Sequence, residues 1–288
     1  LSYITITIYL LPAIFLINNK FFFNLLFRLY LILFLIILTT IYIRNHLQDN
    51  KSDNFANISI SQLNQPANII DNHQDAQKKA QNIISEIIQD KSDFIIFAEN
   101  DYPYLMDNYN IKLIQKLLKK NQSVIIGSTR KEESSYYNSL FLINKNEFKK
   151  FDKKTLVPFG EFIPFRKYLK FMEFVGGLQD FKQGSDDRIL SISNNINIIP
   201  VICYEIIYFW SLLNKNSNGK NKLIVNITND SWFGKISGPY QHFYFSKLRA
   251  AEFNIPLVRV SSNGISGYID NYGNIINFLD LNKKQTKK

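Results

Sequence analysis

Ile198-Ile199-Pro200-Val201-Ile202-Cys203-Tyr204-Glu205 is the stretch whose reading decides the fold. The apolar run 198–202 predicts a buried strand, and Ile206-Ile207-Tyr208-Phe209-Trp210 predicts the start of a helix behind it. Between them stands the only cysteine in 288 residues. A thiol at a strand-to-helix corner is expected at an exposed tip, beside backbone N–H groups and the positive end of a helix dipole. Such surroundings lower a thiol pKa and offer donors to a developing oxyanion, as a nucleophilic cysteine requires. A lone cysteine is more often an apolar filler of the core. The choice therefore turns on whether a base and a cation sit at comparable strand ends.

Working outward, strands and helices alternate. Residues 57–62 alternate apolar and polar, as a half-exposed first strand would. Residues 74–91 carry Ala76, Ala80, Ile83, Ile84, Ile87 and Ile88 at helical spacing. The continuous run 94–98 suits a strand buried on both faces. A second helix around Leu113–Leu118 leads to strands at 124–126 and 139–143. Strands at 223–227 and 257–260 flank a helix at 243–253, and a hairpin turned at 271–274 closes the pattern. This alternation predicts one α/β domain over residues 56–280, followed by a disordered basic tail, 281–288.

Two further groups join the cysteine. Glu99 follows the run 94–98 directly, and a carboxylate at the end of a buried strand has the raised pKa that suits a general base. Lys153 opens the segment Lys153-Lys154-Thr155-Leu156-Val157-Pro158-Phe159-Gly160-Glu161-Phe162-Ile163-Pro164. Its prolines and glycine predict a rigid, irregular loop. An ammonium there could stabilise a tetrahedral oxyanion. Glu161, bracketed by Phe159 and Phe162, needs a partner that such a lysine would provide. Glu205 lies two residues beyond the cysteine, and residues 226–234 form a polar, aromatic loop after another strand.

Net charge is +10 and the isoelectric point near 9.4, which favours an anionic partner. No finger, helix-turn-helix or RNA-recognition signature is present, so a phospholipid surface is preferred to nucleic acid. One cysteine excludes an internal disulfide, and His46, His73 and His242 lack zinc-ligand spacing. The chain opens at Leu1, as a fragment would. Residues 3–17 are almost wholly apolar, and residues 21–43 form a second run interrupted by Asn24, Arg28 and the mild Thr39 and Thr40. The second run is long enough to cross a bilayer with some tilt. Residues 1–45 are thus expected to hold one or two transmembrane helices, and 46–55 a linker.

The order Glu99, Lys153, Cys203 resembles the nitrilase superfamily. Leu156-Val157-Pro158-Phe159-Gly160-Glu161, Val201-Ile202-Cys203-Tyr204-Glu205, Thr228-Asn229-Asp230-Ser231-Trp232-Phe233-Gly234 and Gly238-Pro239-Tyr240-Gln241-His242 are similar to segments of one branch, the apolipoprotein N-acyltransferases. Arg249-Ala250-Ala251-Glu252 and Ser262-Asn263-Gly264-Ile265-Ser266-Gly267 continue the likeness in order. The resemblance implies a nitrilase-like α-β-β-α sandwich, preceded here by one or two transmembrane helices, where full-length members of the family have several more before the domain and one after it. It implies Glu99 as general base, Lys153 as oxyanion stabiliser and Cys203 as nucleophile. Glu161 would support them, and Tyr204 and Glu205 would shape the site.

The implied reaction moves a phospholipid acyl chain through a Cys203 thioester to the N-terminal amine of an S-diacylglyceryl-cysteine apolipoprotein, without metal or cofactor. The implied place is the bacterial inner membrane, with the catalytic domain on the periplasmic side. A nitrilase-type amidase acting on small carbon–nitrogen substrates, and a truncated inactive remnant, are the alternative readings. Gln62-Leu63-Asn64-Gln65-Pro66 is present, but the aromatic residue that usually follows it in the family is not, and Phe151 stands where the family has tyrosine.

Overall fold

Neighbouring residues of the central strands point to opposite sides, and both sides are apolar. The computed structural model describes residues 21–46, 56–64, 73–173, 179–193, 196–212 and 221–287. Its strands are β1 Ile58–Gln62, β2 Phe94–Ile96, β3 Ser123–Glu132, β4 Ser135–Asn144, β5 Phe148–Asp152, β6 Leu190–Ser193, β7 Ile196–Ile202, β8 Asn221–Thr228, β9 Leu257–Ser261, β10 Ser266–Ile269, β11 Ile275–Leu279 and β12 Gln285–Lys287. They make two six-stranded sheets, ordered β12-β1-β2-β3-β4-β5 and β11-β10-β9-β8-β7-β6. β1, β2 and β3 run parallel, as do β7, β8 and β9. The outer strands turn back antiparallel.

Strand parity assigns the layers. Ile60, Ile96, Ile125, Ile198, Ile202, Val225, Ile227, Val258 and Val260 gather in one cluster between the sheets. Their neighbours Ile95, Val124 and Ile126 join a second cluster with Ile83, Ile87, Ile111 and Ile114. Those four come from helices α2, His73–Gln89, and α3, Asn108–Leu117. On the other sheet, Ile199, Val201, Ile224 and Leu257 pack with Phe243 and Ala250 of helix α5, Gly238–Phe253. The result is the expected helix–sheet–sheet–helix sandwich. Each fully buried aliphatic side chain adds about 1.5–3 kcal/mol of hydrophobic stabilisation before chain entropy is subtracted.

Three expectations are corrected. β1 is buried rather than half exposed, with Ser59, Ser61 and Gln62 inaccessible. Its polar alternation serves hydrogen bonds: Ser61 donates to Glu86 of α2, and the Gln62 amide donates to the carbonyls of Asp280 and Lys283 at 2.7 and 2.9 Å. The basic tail, expected to be disordered, forms β12 and pairs antiparallel with β1 from Ile60↔Lys287 to Gln62↔Gln285. Unpaired strand-edge groups make that pairing favourable. The helix expected after Cys203 is a five-residue 3₁₀ turn, Cys203–Ile207, and then a single turn α4, Phe209–Leu212.

Two compact units divide the chain, residues 1–54 and 55–288. In the first, α1 spans Phe21–His46. Leu25, Phe27, Leu29, Leu31, Ile32 and Leu33 are among its exposed apolar side chains. Among the described residues no helix is long and apolar enough to cross a membrane, so the expected spans are not established. The apolar run 3–17 and most of the linker lie outside the described residues.

Candidate active site

Glu99 follows β2, Lys153 follows β5, Cys203 follows β7 and Asn229 follows β8. With β4 antiparallel to both β3 and β5, those strand ends lie on the same side of the sandwich. Ends of parallel strands are where open α/β sheets build sites. Lys153 Nζ lies 2.9 Å from Glu161 Oε1 and 3.4 Å from Glu99 Oε1. The charges of Glu99 and Lys153 both act directly on the buried Cys203 thiol. The three residues named from strand ends therefore meet, together with Glu161.

Cys203 is only 6% exposed, Glu99 5% and Lys153 1%. Burial pushes the Cys203 thiol up to about 12, and the Glu99 charge adds to the effect against the opposing Lys153 ammonium. This reverses the expectation of a lowered thiol pKa. The turn behind the cysteine is too short to supply a helix dipole, and the nearest carboxylate opposes a thiolate. Burial also raises Glu99, with Glu161 reinforcing and Lys153 countering. For Lys153, burial works against the charge, but Glu99, Cys203 and Glu161 outweigh it and hold the ammonium well above its usual range. The resting site holds a neutral thiol and an ammonium, with the raised Glu99 carboxyl group between their effects. Passing the thiol proton to Glu99 leaves the net charge of the buried cluster unchanged, so no new charge has to be desolvated.

Backbone geometry aims these groups. Cys203 has φ +53, the left-handed region that a side-chain-bearing residue occupies only when its surroundings hold it there. Gly127 of β3 lies so close to the Glu99 turn that a Cβ there would fall 2.6 Å from Glu99 Cα and 2.7 Å from Asn100 N. The Asn229 N–H donates to Glu99 Oε2 at 2.9 Å, and the Val157 N–H donates to Glu161 Oε2 at 2.9 Å. Tyr204 donates its hydroxyl to the Leu156 carbonyl at 3.0 Å. Its ring centroid lies 5.8 Å from Lys153 Nζ.

Glu205 joins the cysteine turn to the lysine loop. It accepts from Ile202 N at 2.9 Å and from Lys154 N and Thr155 N at 2.9 and 3.0 Å.

Residue types in such an order can be shared by unrelated chains; the whole-domain comparison is decisive. The carbon-nitrogen hydrolase profile matches residues 57–287. The chain belongs to the carbon-nitrogen hydrolase family.

The chain is 38% identical over 205 residues to a protein named apolipoprotein N-acyltransferase in Rickettsia typhi, and 34% identical over 210 residues to one of the same name in Allorhizobium ampelinum. Each alignment takes in 67% of this chain but only 40% and 39% of the relative. The chain spans about two-fifths of the length of the curated relatives it matches. Among solved structures, its fold is similar to a carbon-nitrogen hydrolase superfamily protein from Xanthomonas campestris, with TM-score 0.58, 14% identity and coverage of 81% of this chain and 89% of that one. A nitrilase-superfamily protein from Saccharomyces cerevisiae matches with TM-score 0.57, 14% identity and coverage of 80% and 87%.

Three parts of the candidate site went unread in the sequence. Asn138, in the middle of β4, donates its amide to both Glu99 Oε1 and Glu161 Oε1 at 2.7 Å. Arg188 meets Glu205 with two contacts of 2.8 Å. Asp230, His242 and Arg259 form a buried cluster: Arg259 Nη2 donates to Asp230 Oδ1 and Oδ2 at 2.9 and 2.7 Å, and His242 Nδ1 lies 2.8 Å from Asp230 Oδ1. Only an interrupted polar residue in an apolar strand hinted at Asn138 and Arg259. A separate cavity of about 400 Å³ opens by Asn57, Ile58, Lys91 and Tyr268 and contains none of these groups.

Proposed function

We propose that this chain carries the catalytic domain of an apolipoprotein N-acyltransferase, with Glu99 as general base, Lys153 as oxyanion stabiliser and Cys203 as nucleophile. The observation that carries the reading is the meeting of Glu99, Lys153 and the sole cysteine in one buried cluster. Its region of the chain is 34–38% identical to proteins bearing that name.

In the first half-reaction Glu99 takes the Cys203 proton as sulfur attacks the sn-1 ester carbonyl of a membrane phospholipid. The Lys153 ammonium stabilises the tetrahedral oxyanion. Collapse breaks the ester C–O bond, Glu99 returns the proton to the departing oxygen, and lysophospholipid leaves a Cys203 thioester. In the second half, the free α-amine of an S-diacylglyceryl-cysteine apolipoprotein attacks the thioester. Its proton passes through Glu99 to the departing sulfur. A thioester is more open to amine attack than the ester it replaced. Glu161 holds Lys153 in place, while Tyr204 and Glu205 fix the loops on either side.

The acyl donor lies in a bilayer, so we assign residues 21–43 to the inner membrane, with the catalytic domain on its periplasmic side. Support comes from the apolar run itself and from the exposed apolar side chains of α1. The test is to incubate the membrane-embedded protein with phospholipid carrying a labelled sn-1 chain. A mass increment of one acyl group on Cys203, absent from the Cys203→Ala protein, is expected. Turnover of a small amide with no acyl-enzyme from phospholipid would overturn the reading in favour of an amidase.

A further inference from the structure

Behind the cysteine turn lies a buried polar assembly that the reaction above does not use. Asn226 of β8 is inaccessible, and so are Thr228, Ser246 of α5 and Arg259 of β9. The Asn226 amide nitrogen donates to the carbonyls of Val201 and Cys203 at 3.2 and 3.3 Å. Its amide oxygen accepts from Arg259 Nη1 at 2.7 Å and, more distantly, from the Ser246 hydroxyl at 3.5 Å. A guanidinium has only donors. Arg259 therefore forces the oxygen of Asn226 toward itself and the NH₂ toward the cysteine turn. Arg259 is held in turn by both oxygens of Asp230 and by the Ile265 carbonyl at 3.1 Å.

We propose that Asn226, oriented by Arg259, is a positioning residue for Cys203: its amide ties down the two carbonyls that flank the left-handed turn and so keeps the sulfur against Glu99. Cys203 sits at φ +53, a conformation that relaxes unless neighbouring contacts over-determine it. The carbonyl of Val201 belongs to the last residues of β7 and that of Cys203 to the start of the turn that follows. One side chain gripping both fixes the angle between them. The register places β8 directly beside this point, with Val201 opposite Asn226 and Ile202 opposite Ile227. Val225 and Ile227 face the core between the sheets, and Asn226 between them is the residue whose side chain reaches both carbonyls.

The proposal rests on Cys203 being the reactive group but not on the identity of the acyl donor, so it is tested without phospholipid. Cys203 is the only cysteine, so the rate of alkylation of the full chain by iodoacetamide at neutral pH reports on this thiol alone. Glu99→Gln slows that reaction by removing the proton acceptor. Asn226→Asp keeps the size and the acceptor for Arg259 but removes both donors. It is expected to slow alkylation at least tenfold with the melting transition retained, and to add little further loss in a Glu99→Gln background. Non-additivity of that kind is the signature of two residues acting through one atom, and a general loosening of the core would add in full.

Wild-type alkylation in Asn226→Asp, or a loss that adds fully to that of Glu99→Gln, overturns the proposal. Where the aspartate protein does not fold, Asn226→Ser makes the same comparison. Failure of both to fold would make the amide a core-stabilising group and also overturn it. The acyltransferase reading is untouched by any of these results, because its own test is the labelled phospholipid.

Discussion

Arg188 and Glu205 are joined by two parallel hydrogen bonds of 2.8 Å, at side-chain exposures of 4% and 0%. The carboxylate simultaneously receives backbone N–H groups from the cysteine turn and from the loop after Lys153. The pair is thus a clamp between the strand end that carries the thiol and the strand end that carries the ammonium. Glu205 thereby ties the end of β7, which leads into Cys203, to the loop that follows Lys153.

Glu205→Gln should therefore damage both stability and chemistry. It leaves the Arg188 guanidinium buried without its counter-charge, at a cost of about 3–5 kcal/mol. Urea denaturation measures that loss, and acyl-enzyme yield from labelled phospholipid should fall with it. The pH dependence is distinctive. Burial alone would raise the Glu205 carboxyl, but Arg188 and the Ile202 N–H outweigh it and hold the group below the usual carboxylate range. A depressed folded-state pKa contributes stability that is complete above the unfolded value, about 4.3, and is lost as pH falls below it. The wild-type protein should lose this increment in acid, and the Gln protein should have none of it to lose.

Gly127→Ala should act on Glu99 without touching it. The added methyl would lie within 2.8 Å of Glu99 Cα, Asn100 N and Ala98 O, all backbone atoms that cannot swing aside. Overpacking of this kind costs about 1–3 kcal/mol. The Glu99 turn must shift, so acyl-enzyme formation should slow while phospholipid binding holds. Single-turnover rates across phospholipid concentration separate the two. An unchanged maximal rate would show that the turn tolerates the methyl.

Much of this arrangement was legible before any coordinates, for definite reasons. Strand parity in 94–98 and 198–202 and the helical spacing in 74–91 are local signals, and they gave the layers. Glu99, Lys153 and Cys203 were readable because each immediately follows such a strand or opens a proline-marked loop. Glu161 was expected to need a cation and has one. Asn138, Arg188 and Arg259 were not readable, because their partners are 23 to 39, 17 and 29 to 33 residues away and no periodicity encodes such pairings. The thiol environment was misjudged for a similar reason. A local rule foresaw a helix N-terminus, whereas the tertiary fold placed a carboxylate beside the sulfur. The tail was misjudged because lysines suggest solvent, while the vacant edge of β1 offers backbone partners to any extended segment.

Glu99→Gln should slow acyl-enzyme formation by at least ~10²-fold, the usual cost of losing a general base. The profile against pH should also change. Burial raises the Glu99 carboxyl, so the wild-type rate should rise with pH through a range above that of an ordinary glutamate as the base form appears. In Glu99→Gln that limb should vanish and only the much weaker dependence on thiol ionisation remain. Stopped reactions followed by intact-mass measurement give both numbers. A Glu99→Gln protein that keeps the wild-type rate and acid limb would remove the residue from the proton path.

Lys153→Met tests what holds the two carboxylates together. Glu99 and Glu161 each place one oxygen within 3.4 Å of the ammonium and within 2.7 Å of the Asn138 amide nitrogen. With the cation gone, two buried acids face each other, and a shared proton is the cheapest relief. The already raised Glu99 carboxyl should rise further. A raised folded-state pKa contributes stability that is complete below the unfolded value and is lost as pH climbs through the folded one. The Met protein should therefore be most stable in mild acid and lose melting temperature steadily toward neutral pH. The wild type, in which the Lys153 ammonium counters the rise of Glu99, should lose less over the same interval. Acyl-enzyme should be absent from the Met protein at every pH, including the acidic range where it is folded, because the oxyanion has lost its partner. A folded Lys153→Met protein that still acylates Cys203 would place the oxyanion against some other group.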